Sequence, residues 1–212
     1  MNNSSTDLAK YLLQIKAIQL NVQNPFTWAS GWKSPIYCDN RIILSYPQVR
    51  DFVKAELIEM IKEKFYPEVN CIGGVATAGI PHAAMIADAL GLPMVYVRSQ
   101  PKGHGMKNTI EGRLPENAKV VVIEDVVSTG KSSLKAVEDL RDAGASIVGM
   151  AAIYTYKFQL ALDRFEAENV ILHTITDYSD AIAVAIDAGY VSGEYLQTLS
   201  AWRKDPASWS IK

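Results

Sequence analysis

Two adjacent acids followed by a turn of small residues form the part of this sequence best suited to chemistry. Glu124 and Asp125 end a strongly apolar run, and after two valines come Ser128-Thr129-Gly130-Lys131-Ser132. Backbone N–H groups and hydroxyls of such a turn bind phosphate well where a helix begins. Two carboxylates repel a triphosphate but accept hydrogen bonds from the two hydroxyls of a ribose. The motif therefore predicts a site for a phosphorylated ribose.

The end of this turn also resembles part of a nucleoside-triphosphate loop. Gly130-Lys131-Ser132 matches the last positions of that motif, which further requires a glycine five residues before Gly130. That position is Asp125 here, so we do not predict a triphosphate site. A helix-capping or turn role is the alternative for Glu124 and Asp125, but it explains only one of the two acids.

Alternating apolar runs and amphipathic segments must position this motif. Apolar, strand-like runs lie at 69–74, 94–97, 119–123, 146–156 and 170–175. Helical patterns lie at 5–20, from Pro47 onward, and at 80–90, 132–143, 180–188 and 194–202. Continuously apolar strands separated by helices predict an α/β fold, a mostly parallel central sheet with helices on both faces. Ligands of such sheets bind beyond the carboxyl ends of the strands, where the two acids are expected.

The chain reads as one domain over residues 1–212. About 1–46 comprises the N-terminal helix and a small hood with a short strand at 36–38, and about 47–212 comprises the core and C-terminal helices. Residues 99–118 have little periodicity and several glycines, which is typical of either a functional lid or a surface loop. The neighbouring phosphate motif favours a lid.

Three segments resemble the type I phosphoribosyltransferases. Residues 121–133 are similar to that family's phosphoribosyl-diphosphate signature, an apolar strand, two acids, two apolar residues and a Ser/Thr-rich glycine turn. Residues 96–105 are similar to the mobile catalytic loop of the orotate phosphoribosyltransferases, and 26–37 to their substrate region. The resemblance covers nearly the whole chain. It implies transfer of a phosphoribosyl group from phosphoribosyl diphosphate to orotate, with Mg²⁺, giving orotidine 5'-monophosphate and diphosphate in pyrimidine (UMP) biosynthesis.

The resemblance also implies roles for individual residues. Glu124 and Asp125 bind the ribose hydroxyls, and the 5'-phosphate is wrapped by Val126, Val127, Ser128, Thr129, Gly130, Lys131 and Ser132. Arg98, Lys102 and His104 serve the diphosphate and catalysis, and in this family they reach into the neighbouring subunit's site, which implies a homodimer. Ser128, Tyr37 and Cys38 are expected at orotate, and residues 75–79 at the diphosphate. Mg²⁺ is expected on the diphosphate and ribose hydroxyls rather than on protein ligands.

Four positions depart from better-known members of that family. Lysine is often found at the positions of Ala29, Ala78 and Gln100, and arginine at that of Tyr156. These differences remove positive charge from the expected site, so we predict an altered charge arrangement around the same reaction.

Two other functions stay open at this stage. A phosphoribosyltransferase for a purine or uracil is disfavoured by residues 26–37 and by the Lys102-Gly103-His104-Gly105 lid. A regulatory protein that binds nucleic acid is disfavoured by the net charge of −2. Cys38 and Cys71 are too isolated for a disulfide framework or a zinc site. With no secretory signal or membrane span in view, we expect a cytoplasmic protein with neither nucleic acid nor membrane as partner.

Overall fold

A region of short strands precedes a core in which strands and helices alternate. The computed structural model describes residues 3–99 and 109–210. The N-terminal region contains α1 (Asn3–Gln14), β1 (Ile18–Leu20), β2 (Phe26–Thr27), β3 (Lys33–Ser34), β4 (Ile36–Cys38) and a 3₁₀ helix (Asn40–Ser45). The core contains α2 (Pro47–Phe65), β5 (Cys71–Val75), α3 (Gly79–Leu90), β6 (Met94–Val97), β7 (Ile110–Glu111), β8 (Lys119–Val127), α4 (Lys131–Asp142), β9 (Ser146–Thr155), α5 (Gln159–Ala167), β10 (Leu172–Asp177), α6 (Tyr178–Asp187), a 3₁₀ turn (Gly193–Tyr195) and α7 (Leu196–Lys204).

The central sheet has the strand order β10-β9-β8-β5-β6-β7. All neighbouring strands run parallel except β7, which pairs antiparallel with β6. Side chains of β8 alternate between two cores: Val121 and Ile123 face α1, α2, α3 and α6, whereas Val120 and Val122 face α4 and α5. This alternation is the pattern of a strand buried on both faces. The predicted fold class is confirmed.

The N-terminal helix is shorter than predicted. The apolar spacing of residues 5–20 suggested one helix, but α1 ends at Gln14 and Lys16 has a positive φ of 60°. The apolar residues that follow belong to β1, which pairs antiparallel with β4. Ile18 is buried in the core as a strand residue, so its burial does not depend on helical periodicity.

Three elements after residue 99 differ from the prediction. Helix α5 was missed, and the helix predicted at 194–202 is a 3₁₀ turn followed by α7. Within 99–118, β7 adds a short edge strand, and 100–108 lies outside the described residues.

In residues 3–99 and 109–210, no helix is both long and apolar enough to cross a bilayer.

A close backbone approach brings the start of α3 to the middle of the sheet. A Cβ atom added to Gly79 would lie 2.6 Å from the carbonyl oxygen of Ile123, so this position accepts only glycine without a backbone shift. The contact places residues 75–79, expected at the diphosphate, directly beside the strand that carries the two acids.

Candidate active site

The two acids lie inside β8 rather than beyond its end, because the strand continues to Val127. Glu124 is buried, and its carboxyl group accepts hydrogen bonds from the Ser133 hydroxyl at 2.9 Å and from the backbone N–H of Asp125 at 3.1 Å. Asp125 is partly exposed toward a cavity. The inner acid is therefore held in place while the outer one is accessible to a ligand.

The two carboxyl groups share their protons unequally. Burial, followed by the charge of Asp125, raises the pKa of Glu124 well above its ordinary value. Burial also raises the pKa of Asp125, although a hydrogen bond from Glu124 works in the opposite direction. Two adjacent negative charges disfavour double ionisation, so the pair favours a proton on Glu124, whose hydroxyl donates a hydrogen bond to Asp125. A ligand with two hydroxyl donors can take over that hydrogen bonding.

This proton makes stability depend on pH in a defined direction. The folded protein keeps a proton on Glu124 that the unfolded chain releases near pH 4.5, so stability falls as pH rises from there toward the raised pKa. We expect Glu124→Gln to flatten this fall, measured as urea unfolding midpoints from about pH 5 to about pH 9. Exposed Glu116→Gln is the control and should keep the wild-type slope. Parallel curves for wild type and Glu124→Gln would contradict the raised pKa.

The turn after β8 is supported by the helix that the sequence did not predict. Gly130 has a φ of +74°, and α4 begins immediately after it. Arg164 of α5 donates a hydrogen bond to the Thr129 carbonyl at 2.9 Å, and the ring of Phe165 lies 2.9 Å from where a Cβ of Gly130 would be. Helix α5 therefore fixes the shape of the predicted phosphate turn.

One cavity, which we call the phosphate cavity, lies between this turn, the start of α4 and the end of β6. It has a volume of about 360 Å³, and its lining includes Arg98, Thr129, Lys131 and Ser132. Arg98 donates a hydrogen bond to Glu111 of β7 at 3.3 Å, which orients the guanidinium at the sheet edge. Two cationic residues of the predicted site therefore meet the turn in one cavity.

A second cavity, which we call the acid cavity, has a volume of about 330 Å³ and contains the two acids. Its lining is Cys38, Asp39, Arg41, Val75, Ala76, Thr77, Ala78, Glu124, Asp125, Val126 and Ser132. Residues 75–78 form the wall expected at the diphosphate, and the peptide between Ala76 and Thr77 is cis. Because Ala78 replaces a position that is often lysine in the family, this wall presents no cationic side chain.

A third cavity, which we call the aromatic cavity, has a volume of about 360 Å³. It brings together the three residues predicted at orotate, Tyr37, Cys38 and Ser128. The remaining lining residues are Trp28, Ala29, Ser30, Trp32, Val126, Thr129 and Tyr156. Burial raises the pKa of both Cys38 and Tyr156, so the thiol and the phenol are neutral at neutral pH. The described lining therefore offers ring faces and neutral polar groups, which suit a planar ligand.

Aromatic packing and one C-terminal helix hold this wall in place. The Trp28 ring lies 4.9 Å from the Tyr156 ring and 5.7 Å from the Trp202 ring, both measured between centroids. The Trp202 indole N–H donates a hydrogen bond to the Lys33 carbonyl at 3.0 Å. The β2–β3 hairpin is thereby attached to α7, a long-range contact between the two ends of the chain.

Most of the predicted site residues converge, and a few do not. Val126 lines both the acid and aromatic cavities, Ser132 both the phosphate and acid cavities, and Thr129 both the phosphate and aromatic cavities. The Val127 side chain is buried in the core, and Gly130 lines none of these three cavities. Lys102, His104 and Gln100 lie outside the described residues. The three cavities meet around one turn and form a single candidate site.

Sequence reasoning missed the short polar segment that follows β4. The side chain of Asn40 is fully buried and donates a hydrogen bond to the Asp125 carbonyl at 2.8 Å, which ties this segment to the acids. Asp39 and Arg41 on either side both line the acid cavity. The available signal was a polar run, Asp39-Asn40-Arg41, directly after a predicted strand.

We expect Asn40→Ala to destabilise the protein by about 1–3 kcal/mol, because it removes a buried donor from the Asp125 carbonyl. Urea denaturation measures the loss, and exposed Asn24→Ala is the control. The affinity of the acid cavity for a ribose ligand should fall at the same time, since the acids lose an anchor. A stability equal to that of Asn24→Ala would contradict the anchoring role.

Comparison with known proteins decides the family. The phosphoribosyl transferase domain matches residues 49–190. Over 207 residues, the orotate phosphoribosyltransferase of Cytophaga hutchinsonii is 50% identical, covering 98% of this chain and 99% of the relative. That of Bacteroides thetaiotaomicron is 54% identical over 209 residues, covering 99% and 98%. The chain belongs to the orotate phosphoribosyltransferase family.

Solved structures agree with this membership. The orotate phosphoribosyltransferase of Aeropyrum pernix has a TM-score of 0.74 at 29% identity, covering 87% of this chain and 99% of that one. The Mycobacterium tuberculosis enzyme in complex with phosphoribosyl diphosphate has a TM-score of 0.63 at 23% identity, covering 84% and 98%, a likeness of fold alone. Both the predicted family and its pentosyltransferase activity are confirmed, and these relatives favour orotate over the two alternatives.

Proposed function

We propose that this orotate phosphoribosyltransferase family member transfers the phosphoribosyl group to orotate with the residues described above, in the cytoplasm and with Mg²⁺ as cofactor. One observation carries the proposal: the acid pair, the phosphate turn and an aromatic cavity meet at the carboxyl edge of the sheet, with Val126 shared by two cavities. Each part of the two substrates then has a matching surface within one site.

Each surface suits one chemical group of the substrates. Asp125 and Glu124 accept hydrogen bonds from the ribose hydroxyls, and residues 126–132 surround the 5'-phosphate at the start of α4. Orotate lies against Trp28 and Tyr156 with the Ser128 hydroxyl at its edge. In the proposed complex the orotate ring nitrogen faces the ribose carbon that carries the diphosphate.

The reaction is a substitution at that carbon and needs no covalent enzyme intermediate. The bond to diphosphate breaks as the bond to the orotate ring nitrogen forms, so positive charge develops on the sugar and negative charge on the departing group. The Asp125 carboxylate beside the sugar stabilises the first of these charges, and cations at the diphosphate stabilise the second. Interactions with charges that grow in the transition state lower the barrier most.

Mg²⁺ fits the acid cavity through its oxygen donors. The Asp125 carboxylate in this cavity, and the ribose hydroxyls that it would bind, are oxygen groups of the hard type that this ion prefers. Among residues 3–99 and 109–210 no group of three or more His, Cys, Asp or Glu is arranged to hold a metal by itself. From the family resemblance we propose that substrate oxygens would hold the ion, with Asp125 and Glu124 acting through the ribose hydroxyls. When bound, it neutralises charge on the diphosphate.

We further propose a homodimer in which the lid of each subunit serves the other's site. Within one subunit Arg98 lines the phosphate cavity of its own turn, so the crossed arrangement rests on the family resemblance of Arg98, Lys102 and His104. Their charges would neutralise the departing diphosphate, and His104 is able to donate a proton near neutral pH. A closed lid also excludes water, which competes with orotate for the sugar.

A direct assay tests the substrate assignment. The purified protein is mixed with Mg²⁺, phosphoribosyl diphosphate and orotate, and the loss of orotate absorbance is followed. Turnover should require the donor and disappear when Mg²⁺ is chelated. Parallel reactions contain uracil, adenine or hypoxanthine instead of orotate and are expected to give no nucleotide. Turnover with one of these bases but not with orotate would overturn the proposal while leaving the fold unchanged.

A further inference from the structure

The acid cavity has too little positive charge for an anionic leaving group. Its described lining contains three acids, Asp39, Glu124 and Asp125, and a single cation, Arg41. The wall formed by residues 75–78 contributes no charged side chain. A diphosphate entering this cavity therefore meets Arg41 as the one cationic side chain that the described lining offers.

Arg41 is held in a fixed orientation by its neighbour. Its Nε and Nη2 donate hydrogen bonds to the two carboxylate oxygens of Asp39, at 2.6 Å and 2.7 Å. This forked contact holds the pKa of Asp39 below its ordinary value. Of five N–H donors on the guanidinium, the fork uses two, and in residues 3–99 and 109–210 the others have no acceptor. The Arg41 side chain is 62% exposed, so these donors are accessible to a ligand.

The backbone around Arg41 is anchored to the acids themselves. The N–H of Asp39 donates to the Ala17 carbonyl at 2.8 Å, and Asn40 donates to the Asp125 carbonyl at 2.8 Å. The N–H of Arg41 donates to the Asp39 side chain at 3.2 Å, which begins the 3₁₀ helix. These contacts, all between described residues, set the position of the backbone at Arg41 relative to Asp125.

We propose that Arg41 binds the diphosphate group, both in the phosphoribosyl donor and in the released product. A planar guanidinium that is already paired on one edge can bind phosphate oxygens through the other edge. This supplies, within the same subunit, a charge that Ala78 does not provide. The inference rests on the proposed function, because it assigns a residue to the leaving group of that reaction.

Two substitutions test this role. Arg41→Ala should raise both the Michaelis constant for phosphoribosyl diphosphate and the inhibition constant of inorganic diphosphate by roughly tenfold or more. Inhibition by orotidine 5'-monophosphate, which has no diphosphate, should change little. Arg41→Lys keeps the charge but not the fork, so it should recover part of the loss. Arg50→Ala, an arginine of α2 that lies 3.7 Å from Asp51, is the control and should behave as wild type.

The outcomes separate this inference from the proposed function. An active wild type, together with Arg41→Ala that keeps wild-type constants for donor and diphosphate, would overturn the role of Arg41 and leave the function standing. An equal loss toward orotidine 5'-monophosphate would also overturn it, since the effect would then be general. If wild type does not turn over orotate, the proposed function fails instead. Calorimetric binding of inorganic diphosphate with Mg²⁺ to wild type and Arg41→Ala then tests Arg41 without turnover, and equal affinities would overturn its role.

Discussion

Asp125→Asn should lower kcat/KM by about 10²–10³-fold while leaving the fold intact. The asparagine is nearly isosteric, and its oxygen still accepts the hydrogen bond that Glu124 donates. It removes the negative charge that faces the ribose in the acid cavity. The charge of this carboxylate matters most when positive charge develops on the sugar, so the loss should appear in kcat as well as in KM. Steady-state rates with varied phosphoribosyl diphosphate measure it.

Stability distinguishes a lost charge from a damaged structure in this variant. Burial raises the pKa of Asp125, which means that its ionised form is unfavourable in the free protein. Asp125→Asn should therefore have a thermal midpoint at neutral pH equal to or above that of wild type. Asp142→Asn, at the exposed end of α4, is the control and should retain full activity. An Asp125→Asn protein with wild-type kcat/KM would refute the role of the acid pair.

Many of the predicted site residues that the structure brings together lie in one short stretch of the chain, residues 124–132, whereas Tyr37, Cys38 and Arg98 were expected there from the family resemblance. The acids and the turn that follows them form one continuous motif, so their types and order indicate their chemistry. Asn40 is 85 residues from Asp125, and neither residue type nor spacing indicates that the two are hydrogen bonded. Arg41 escaped notice for the same reason, since its role depends on which wall of the folded protein it joins. Contacts of this kind can be identified only from the tertiary structure.

The errors in the fold prediction have a related physical cause. In α5 only Ala161 and Phe165 are buried, while Leu160 and Leu162 are exposed, so the helix lacks a clear apolar face. At the N-terminus the apolar spacing of α1 continues into β1, and a turn at residues 15–17, with Lys16 at positive φ, separates helix from strand. The central strands were predicted because burial on both faces gives continuous apolar runs. Half-buried elements such as α5 have a weaker apolar pattern in the sequence and are harder to predict.

Lys102→Ala should lower kcat by about 10²–10³-fold, with a smaller change in the Michaelis constant for phosphoribosyl diphosphate. The reason comes from the sequence and the family resemblance, because Lys102 lies outside the described residues. A lid cation that meets the diphosphate mainly as its bond breaks contributes to the transition state rather than to initial binding. Single-turnover rates measure the chemical step directly. Lys107→Ala, in the same segment, is the control and should lose far less activity.

Mixing the Lys102→Ala and Asp125→Asn proteins tests whether the lid crosses between subunits. In a mixed dimer with crossed lids, one site combines the intact acid pair of the first protein with the intact lid of the second. The other site carries both substitutions. Random exchange makes about half of the dimers mixed, so activity should recover to about a quarter of wild type. If each lid serves its own subunit, no mixed dimer contains an intact site, and the mixture shows only the residual activities of its parents. That result, with subunit exchange demonstrated by differently tagged chains, would rule out the crossed arrangement.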